Sequence, residues 1–382
     1  MQEQVRSGRS PHEQDGRPDE RRPDEAGSDP QDAAGVGGRD EATRGVTAAG
    51  DAVSTVVVLG RGPVAAAVAA QWDRRGRVVE ELPDRRPTTA LAGAEVLVLV
   101  AHPAELVAPS REGVAAAAAG AQHALAAARA AGVRHVVVVT SAMVHGAWPD
   151  RPVVRDDEPL LAGDDAPREG VVAELLAVEA VLATVRRRRR PALTVLRPAP
   201  VVGQGMDTLV TRHFEAPRLL TLRGVQREWQ LVHVEDVASA VRFVVEHGLT
   251  GALTVGPPDV LTAGQVEAAA GMRHVELAAA TAFGTAERLH RVGVLPAPAA
   301  ELAYTVYPWT VAADRLRQAG WEPRWSTAEC LDVLLEGVQG RLAVAGRRVG
   351  ARDAAALGAA GAAVALIGTA AVWRQARSRR RR

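Results

Sequence analysis

Neither lysine nor asparagine occurs among the 382 residues. Every fixed cation is therefore an arginine guanidinium. No step can use a lysine ammonium, a lysine Schiff base or an asparagine amide. Tyrosine is nearly absent too, with Tyr304 and Tyr307 the whole supply. The single cysteine, Cys330, excludes a disulfide within the chain and any thiolate metal cluster. It falls in a helical pattern from Ala328 to Val338, where a small buried thiol behaves as an inert apolar group. No apolar run follows Met1, so no signal peptide is expected and the expected compartment is the cytoplasm. His, Asp and Glu show no metal-ligand spacing, so no metal is expected. A net charge of +1 gives no global attraction to nucleic acid.

Residues 1–53 contain no Leu, Ile or Phe and are rich in Arg, Asp, Glu, Gly, Pro and Gln. Such a segment cannot bury enough apolar surface to offset its ordering entropy, and the composition predicts a disordered tail. Order begins at Ser54. Thr55–Leu59 is a continuous β-branched run, the signature of a strand covered on both faces. Further strands are expected at Arg77–Glu80, Glu95–Val100, Val133–Thr140, Ala192–Arg197, Trp229–His233 and Leu253–Gly256. Helices are expected at Pro63–Trp72, Gly113–Ala131, Val171–Val185, Glu235–Glu246, Thr262–Ala270 and Ser326–Val338. Apolar strands alternating with helices predict an α/β fold, a Rossmann-like doubly wound parallel sheet with a smaller C-terminal substrate lobe. The core is expected over 54–204. A mixed lobe follows over 205–345, with elements around 229–256 returning to the core. Residues 346–382 form an Ala-rich stretch with an Arg-rich tail. In such a sheet ligands bind at the carboxyl ends of the strands.

Gly60-Arg61-Gly62-Pro63-Val64-Ala65 fits G-x-G-x-x-A between a strand and a helix. The first glycine makes the tight turn. The second lets the backbone approach a pyrophosphate, and the small third residue lets helix and strand pack closely. The helix N-terminus adds N–H groups and positive dipole. An acid about 20 residues on accepts the adenine ribose hydroxyls, and Glu80 stands there, followed by Glu81 and Asp84. That favours NAD. Arg85 and Arg86 are placed to hold a 2′-phosphate instead, so NADP stays open.

Five segments in order resemble the extended short-chain dehydrogenase/reductase family, in its sugar-nucleotide epimerase/dehydratase branch and nearest its UDP-glucose 4-epimerase-like members. Ala130–Val137 resembles that family's helix-to-strand passage. Thr140-Ser141-Ala142-Met143-Val144-His145-Gly146 is similar to its "SSxxVYG" strand end, and Leu196–Gly203 to its "LRPxxVYG" segment. Leu231–Val237 resembles "FVHVDDVA", and Gly320-Trp321-Glu322-Pro323 resembles "LGWxP". The resemblance covers roughly residues 54–340. It implies NAD(P) on the glycine turn, through Gly60, Arg61, Gly62, Val64, Ala65 and Glu80. It adds Ala101 beyond the third strand, and Pro198 and its neighbours along the nicotinamide. Ser141 falls at the family's catalytic serine. The implied partner is a small-molecule substrate of nucleotide-sugar type. The implied assembly is a homodimer built on two helices.

The departures are as informative. The family's acid/base is a tyrosine four residues before a lysine on one helix face. Here those positions are Val171 and Leu175. The glycine turn is one residue short, and the compressed Glu81–Ala92 segment predicts a missing outer strand. His145 is the candidate replacement acid/base, near-neutral titration suiting that work; the alternative is a structural role in place of a tyrosine. His233 and Asp236 read as strand-end and helix-packing residues. Arg186–Arg190 reads as a solvated helix end. Residues 354–373 carry no charge and precede an Arg-rich flank. They read either as a bilayer span tethering the chain to the cytoplasmic face or as an Ala-rich helix folded onto the domain. Three functions remain: an epimerase or dehydrogenase with an atypical acid/base, a non-catalytic dinucleotide-binding sensor or scaffold, and a chain whose Arg61 and short turn exclude the cofactor.

Overall fold

Val56–Leu59 offers no polar face, so it needs apolar cover on both sides. A computed structural model supplies that cover; it describes residues 55–102, 111–185, 191–293, 295, 297–339, 341, 343–344 and 347–348. β1 (Val56–Leu59) lies between β2 (Gly76–Val79) and β3 (Val96–Val100). β4 (His135–Val139), β5 (Ala192–Pro198) and the strand Gly251–Val255 extend the sheet beyond β3, and all six strands are parallel. From β1 the chain steps outward to β2, then returns to the other side of β1 for β3. The order therefore reverses between β1 and β3, which is where a doubly wound sheet opens a ligand crevice.

Alternation along the strands assigns the two faces. Val56 and Val58 meet Val64 and Val68 of the helix Gly62–Ala70 (α1), and Val237 and Val241 of the helix Val234–Glu246. Val57 and Leu97 meet Ala124 and Leu125 of the helix Arg111–Ala130, and Val178 and Leu182 of the helix Val171–Val185. Among the described residues no strand lies beyond β2, as the compressed segment predicts, and a short helical turn, Pro87–Ala90, occupies that segment.

One expected strand is corrected. Trp229–His233 is two separate pieces: Glu228–Trp229 pairs antiparallel with Leu261–Thr262, and Val232–His233 pairs parallel with Val201–Val202. The cause is Gln230. Its buried amide donates to the carbonyls of Pro257 and Val311 and accepts from the Val311 N–H, so this stretch knits the lobe to the core. The pairing of Leu219–Leu222 with His274–Leu277 and the helix Ala279–Arg291 were not foreseen. No helix among the described residues is long and apolar enough to cross a membrane. The expectations for 1–53, Arg186–Arg190 and 354–373 fall outside the described residues.

Leu182 is fully buried between helix and sheet. Leu182→Ala is expected to cost about 3 kcal/mol, as transfer and cavity terms add. A urea midpoint shift checks this.

Candidate active site

The crevice begins at Gly60, whose φ is +143°. A Cβ there would lie 2.9 Å from the Val100 Cβ and 3.0 Å from the Val100 carbonyl oxygen. The turn therefore crosses directly over the end of β3, and any side chain would push the two apart. The Gly60 N–H donates to the Val79 carbonyl at 3.0 Å, which ties the turn to the end of β2. Gly62, at φ +83°, opens α1. No side chain caps α1, because its N-cap residue is Arg61. The first-turn N–H groups of a helix need partners from outside it, and an anion serves. The Arg61 guanidinium lies instead on the acids after β2, 3.2 Å from Glu80 and 3.7 Å from Glu81. Glu80 thus stands within reach of the turn. Val64 and Ala65 are buried and seat α1 on the sheet. Ala101 follows β3, its N–H bonded to the Val139 carbonyl. A turn with glycine at 60 and 62, an uncapped helix and an acid one strand away fit a dinucleotide.

Beneath the crevice a buried ion pair joins helix to sheet. Arg197, on β5, meets Glu179 through Nε–Oε1 at 2.8 Å and Nη2–Oε2 at 2.9 Å, with both side chains almost completely buried. The Thr140 hydroxyl donates to the same carboxylate at 3.1 Å. His145 completes the group. Its Nδ1 is 2.9 Å from the Pro159 carbonyl, which can only accept, so Nδ1 carries the proton. Its Nε2 then faces Arg197 Nη1, 3.5 Å away. Burial pulls His145 down to about 4, leaving it neutral. Both ring nitrogens are occupied, and His145 does not line the neighbouring pocket.

That neighbouring pocket lies beyond the carboxyl end of β4. Ser141, Met143, Val171, Leu209, Tyr304 and Trp309 are among its walls. The Ser141 Oγ accepts from the Met143 N–H at 3.3 Å. Val171 brings an isopropyl group to the wall, and Leu175 is buried one turn further on. Pro198 closes β5, and its neighbours Pro200 and Val201 line the pocket. Behind Val171, the buried Glu301 accepts from the Val172 N–H. Burial, aided by Glu174, pushes the Glu301 carboxyl up to about 7.

A second pocket is lined by Arg227, His213 and Trp229, among others. Arg227 is buried and stacks on the Trp229 ring at 3.5 Å. Its terminal nitrogens donate to the carbonyls of Tyr307 and Tyr304, and its Nε has no acceptor among the described residues. No carboxylate among the described residues pairs with it: the two acids on this wall, Glu267 and Glu276, pair with His274 and Arg223. Burial and the Arg227 charge pull His213 down to about 3. Sequence reasoning missed Arg227, Tyr304 and Glu301. The signal was present for Arg227, which sits just ahead of the Leu231–Val237 motif. Tyr304 and Glu301 arrive from 130 or more residues beyond Val171 and left no local pattern.

Both buried acids make predictions. Removing one ion of a buried pair strands the other, so Glu179→Leu should cost about 4 kcal/mol, whereas Glu179→Leu with Arg197→Met should recover most of that loss. Denaturant unfolding of the double-mutant cycle checks it. For Glu301, the folded chain keeps its proton to about 7, whereas an ordinary glutamate loses it near 4.5. The folded state then binds more protons than the unfolded state between those values, so stability falls as pH rises through that window, by on the order of 3 kcal/mol. Glu301→Gln should remove this fall, which denaturation at pH 5 and pH 8 would show.

The chain resembles known proteins in sequence and in fold. An uncharacterized protein of Mycobacterium tuberculosis (strain ATCC 25618 / H37Rv) is 27% identical over 217 residues, 55% of this chain and 56% of that protein. The chain thus matches about half the length of its curated relatives. The Thermus thermophilus UDP-glucose 4-epimerase, solved in complex with NAD, superposes with a TM-score of 0.54 at 18% identity, over 75% of this chain and 99% of that one. MoeE5, solved with UDP-glucuronic acid and NAD, gives 0.55 at 17% identity, over 74% and 98%. Likenesses at this identity establish the fold. The family model for the NAD dependent epimerase/dehydratase family matches residues 55–256, more than half of the chain. The chain belongs to that NAD dependent epimerase/dehydratase family.

Proposed function

We propose that this chain binds NAD at the Gly60–Gly62 turn and a nucleotide-sugar-like ligand beside it. The observation that carries the reading is one of arrangement. A turn with glycine at 60 and 62, opening an uncapped helix at the sheet's switch point, neighbours the Ser141 pocket, and Arg227, a buried guanidinium with no carboxylate partner among the described residues, lines the next one. The backbone N–H groups of Gly62 and the first turn of α1 hold the pyrophosphate. Glu80 accepts the ribose hydroxyls and repels a 2′-phosphate, with Arg61 as its counter-ion. When bound, NAD supplies a hydride acceptor. Ser141 donates to the oxygen on the reacting carbon. Arg227 attracts the diphosphate of the ligand, since a buried cation without a carboxylate gains most from an anion. His145 holds Arg197 in place and moves no proton. The homodimer reading uses the outward faces of Arg111–Ala130 and Val171–Val185.

A second reading has its own observation. Val171 and Leu175 put no titratable group on the helix face where the family resemblance calls for two. The chain then holds a dinucleotide without turnover, as a sensor or scaffold. The two readings separate by experiment. Nucleotide released from the purified protein should be identified as NAD by mass spectrometry, and Gly62→Val should abolish its retention. Ser141→Ala should retain NAD but lose any change in cofactor absorbance on adding UDP-glucose. Wild-type protein that retains NAD yet never changes that absorbance favours the sensor. Protein that retains no dinucleotide contradicts both.

A further inference from the structure

The helix face that lacks a hydroxyl looks across its pocket at one. Tyr304 is one of two tyrosines in the chain, and it lines the same pocket as Ser141 and Val171. It is held at both ends. Its hydroxyl donates to the Met143 carbonyl at 2.8 Å. Its own carbonyl accepts from Arg227 Nη2 at 3.1 Å and from the Trp309 indole at 2.9 Å. Its ring stands edge-on to Trp309, 5.6 Å between centroids. One turn earlier, Glu301 accepts from the Val172 N–H, so the segment carrying Tyr304 is bonded to the start of the helix that carries Val171. Met143 sits between the two hydroxyls of the pocket. Its N–H goes to Ser141, and its carbonyl takes the Tyr304 proton. The Ser141 proton has no acceptor among the described residues.

The geometry points to Tyr304 as the hydroxyl that serves the ligand's reacting oxygen in place of the tyrosine missing at position 171, with Ser141 as the second donor. The inference rests on the reading that this pocket takes a ligand beside the dinucleotide. Two O–H groups, one from each lobe, then converge on one carbonyl or hydroxyl oxygen of that ligand, and the Tyr304 O–H turns from the Met143 carbonyl to reach it. Fixed donors aimed at a single oxygen stabilise charge developing there, because they need no reorganisation. Burial and the nearby Glu301 raise the phenol above its ordinary range, opposed by Arg151. Tyr304 therefore keeps its proton and acts as a donor, and no proton transfer is assigned to it. The Arg227 bond to its carbonyl links it to the second pocket, so the groups that would hold a diphosphate and a sugar oxygen share one residue.

The test uses the full chain loaded with NAD. Calorimetry compares UDP-glucose with UDP, in wild type and in Tyr304→Phe. UDP-glucose should bind the variant about tenfold more weakly, the worth of one good hydrogen bond to a ligand oxygen, while UDP binds both equally. A purely structural role would not split the two ligands. Equal UDP-glucose affinity in both proteins overturns the role of Tyr304 and leaves the nucleotide-sugar reading standing. If neither ligand binds wild type, that reading fails, and Tyr304 is judged by a ligand-free cycle. Val171→Tyr should lower the melting temperature by several degrees in wild type, where two phenols compete for one pocket. In Tyr304→Leu the same substitution should cost less than half as much. Additive losses, the outcome for side chains that do not meet, would overturn the shared site.

Discussion

One contact governs the architecture of the site. The turn after β1 passes so close to the end of β3 that residue 60 has no room for a side chain, because Val100 fills the space. That approach is possible only where the chain order reverses, since elsewhere a crossover would cover the strand ends. The same turn starts α1 without a side-chain cap. A single steric constraint therefore keeps residue 60 a glycine at the crevice, beside a helix start whose N–H groups have no side-chain cap.

Around that point the polar groups divide by their degree of commitment. Glu179, Arg197, Thr140 and His145 satisfy one another beneath the crevice. Such a closed set fixes the helix Val171–Val185 against β4 and β5 and has nothing left to offer a ligand. Arg227 is the opposite case, a buried cation whose partners are neutral carbonyls. Burying a charge is costly unless something balances it, and among the described residues Arg227 has carbonyls and the Trp229 ring but no carboxylate.

The core was legible because parallel strands advertise themselves. Val56–Leu59, Val96–Val100 and His135–Val139 are apolar runs that fit few other structures, and the helix Val171–Val185 was read to its last residue. The glycine turn was legible for the same reason: its residue types are dictated by backbone geometry. The lobe was less so. Trp229–His233 has strand-like residues throughout, yet Gln230 bonds sideways to Pro257 and Val311 and splits the run, a tertiary effect with no local trace. Tyr304 illustrates the limit most clearly. Its sequence neighbours are ordinary, and its relation to Val171 exists only after the lobe folds back across the sheet. His145 illustrates the converse: its residue type suggested chemistry, and the fold gives both its ring nitrogens partners that the sequence did not reveal.

All of this depends on a dinucleotide lying over Gly60 and Gly62. Isothermal titration of NAD into folded, nucleotide-stripped protein examines that directly. The account predicts saturable heat with one NAD per chain. A flat titration from protein whose unfolding transition is intact would contradict it.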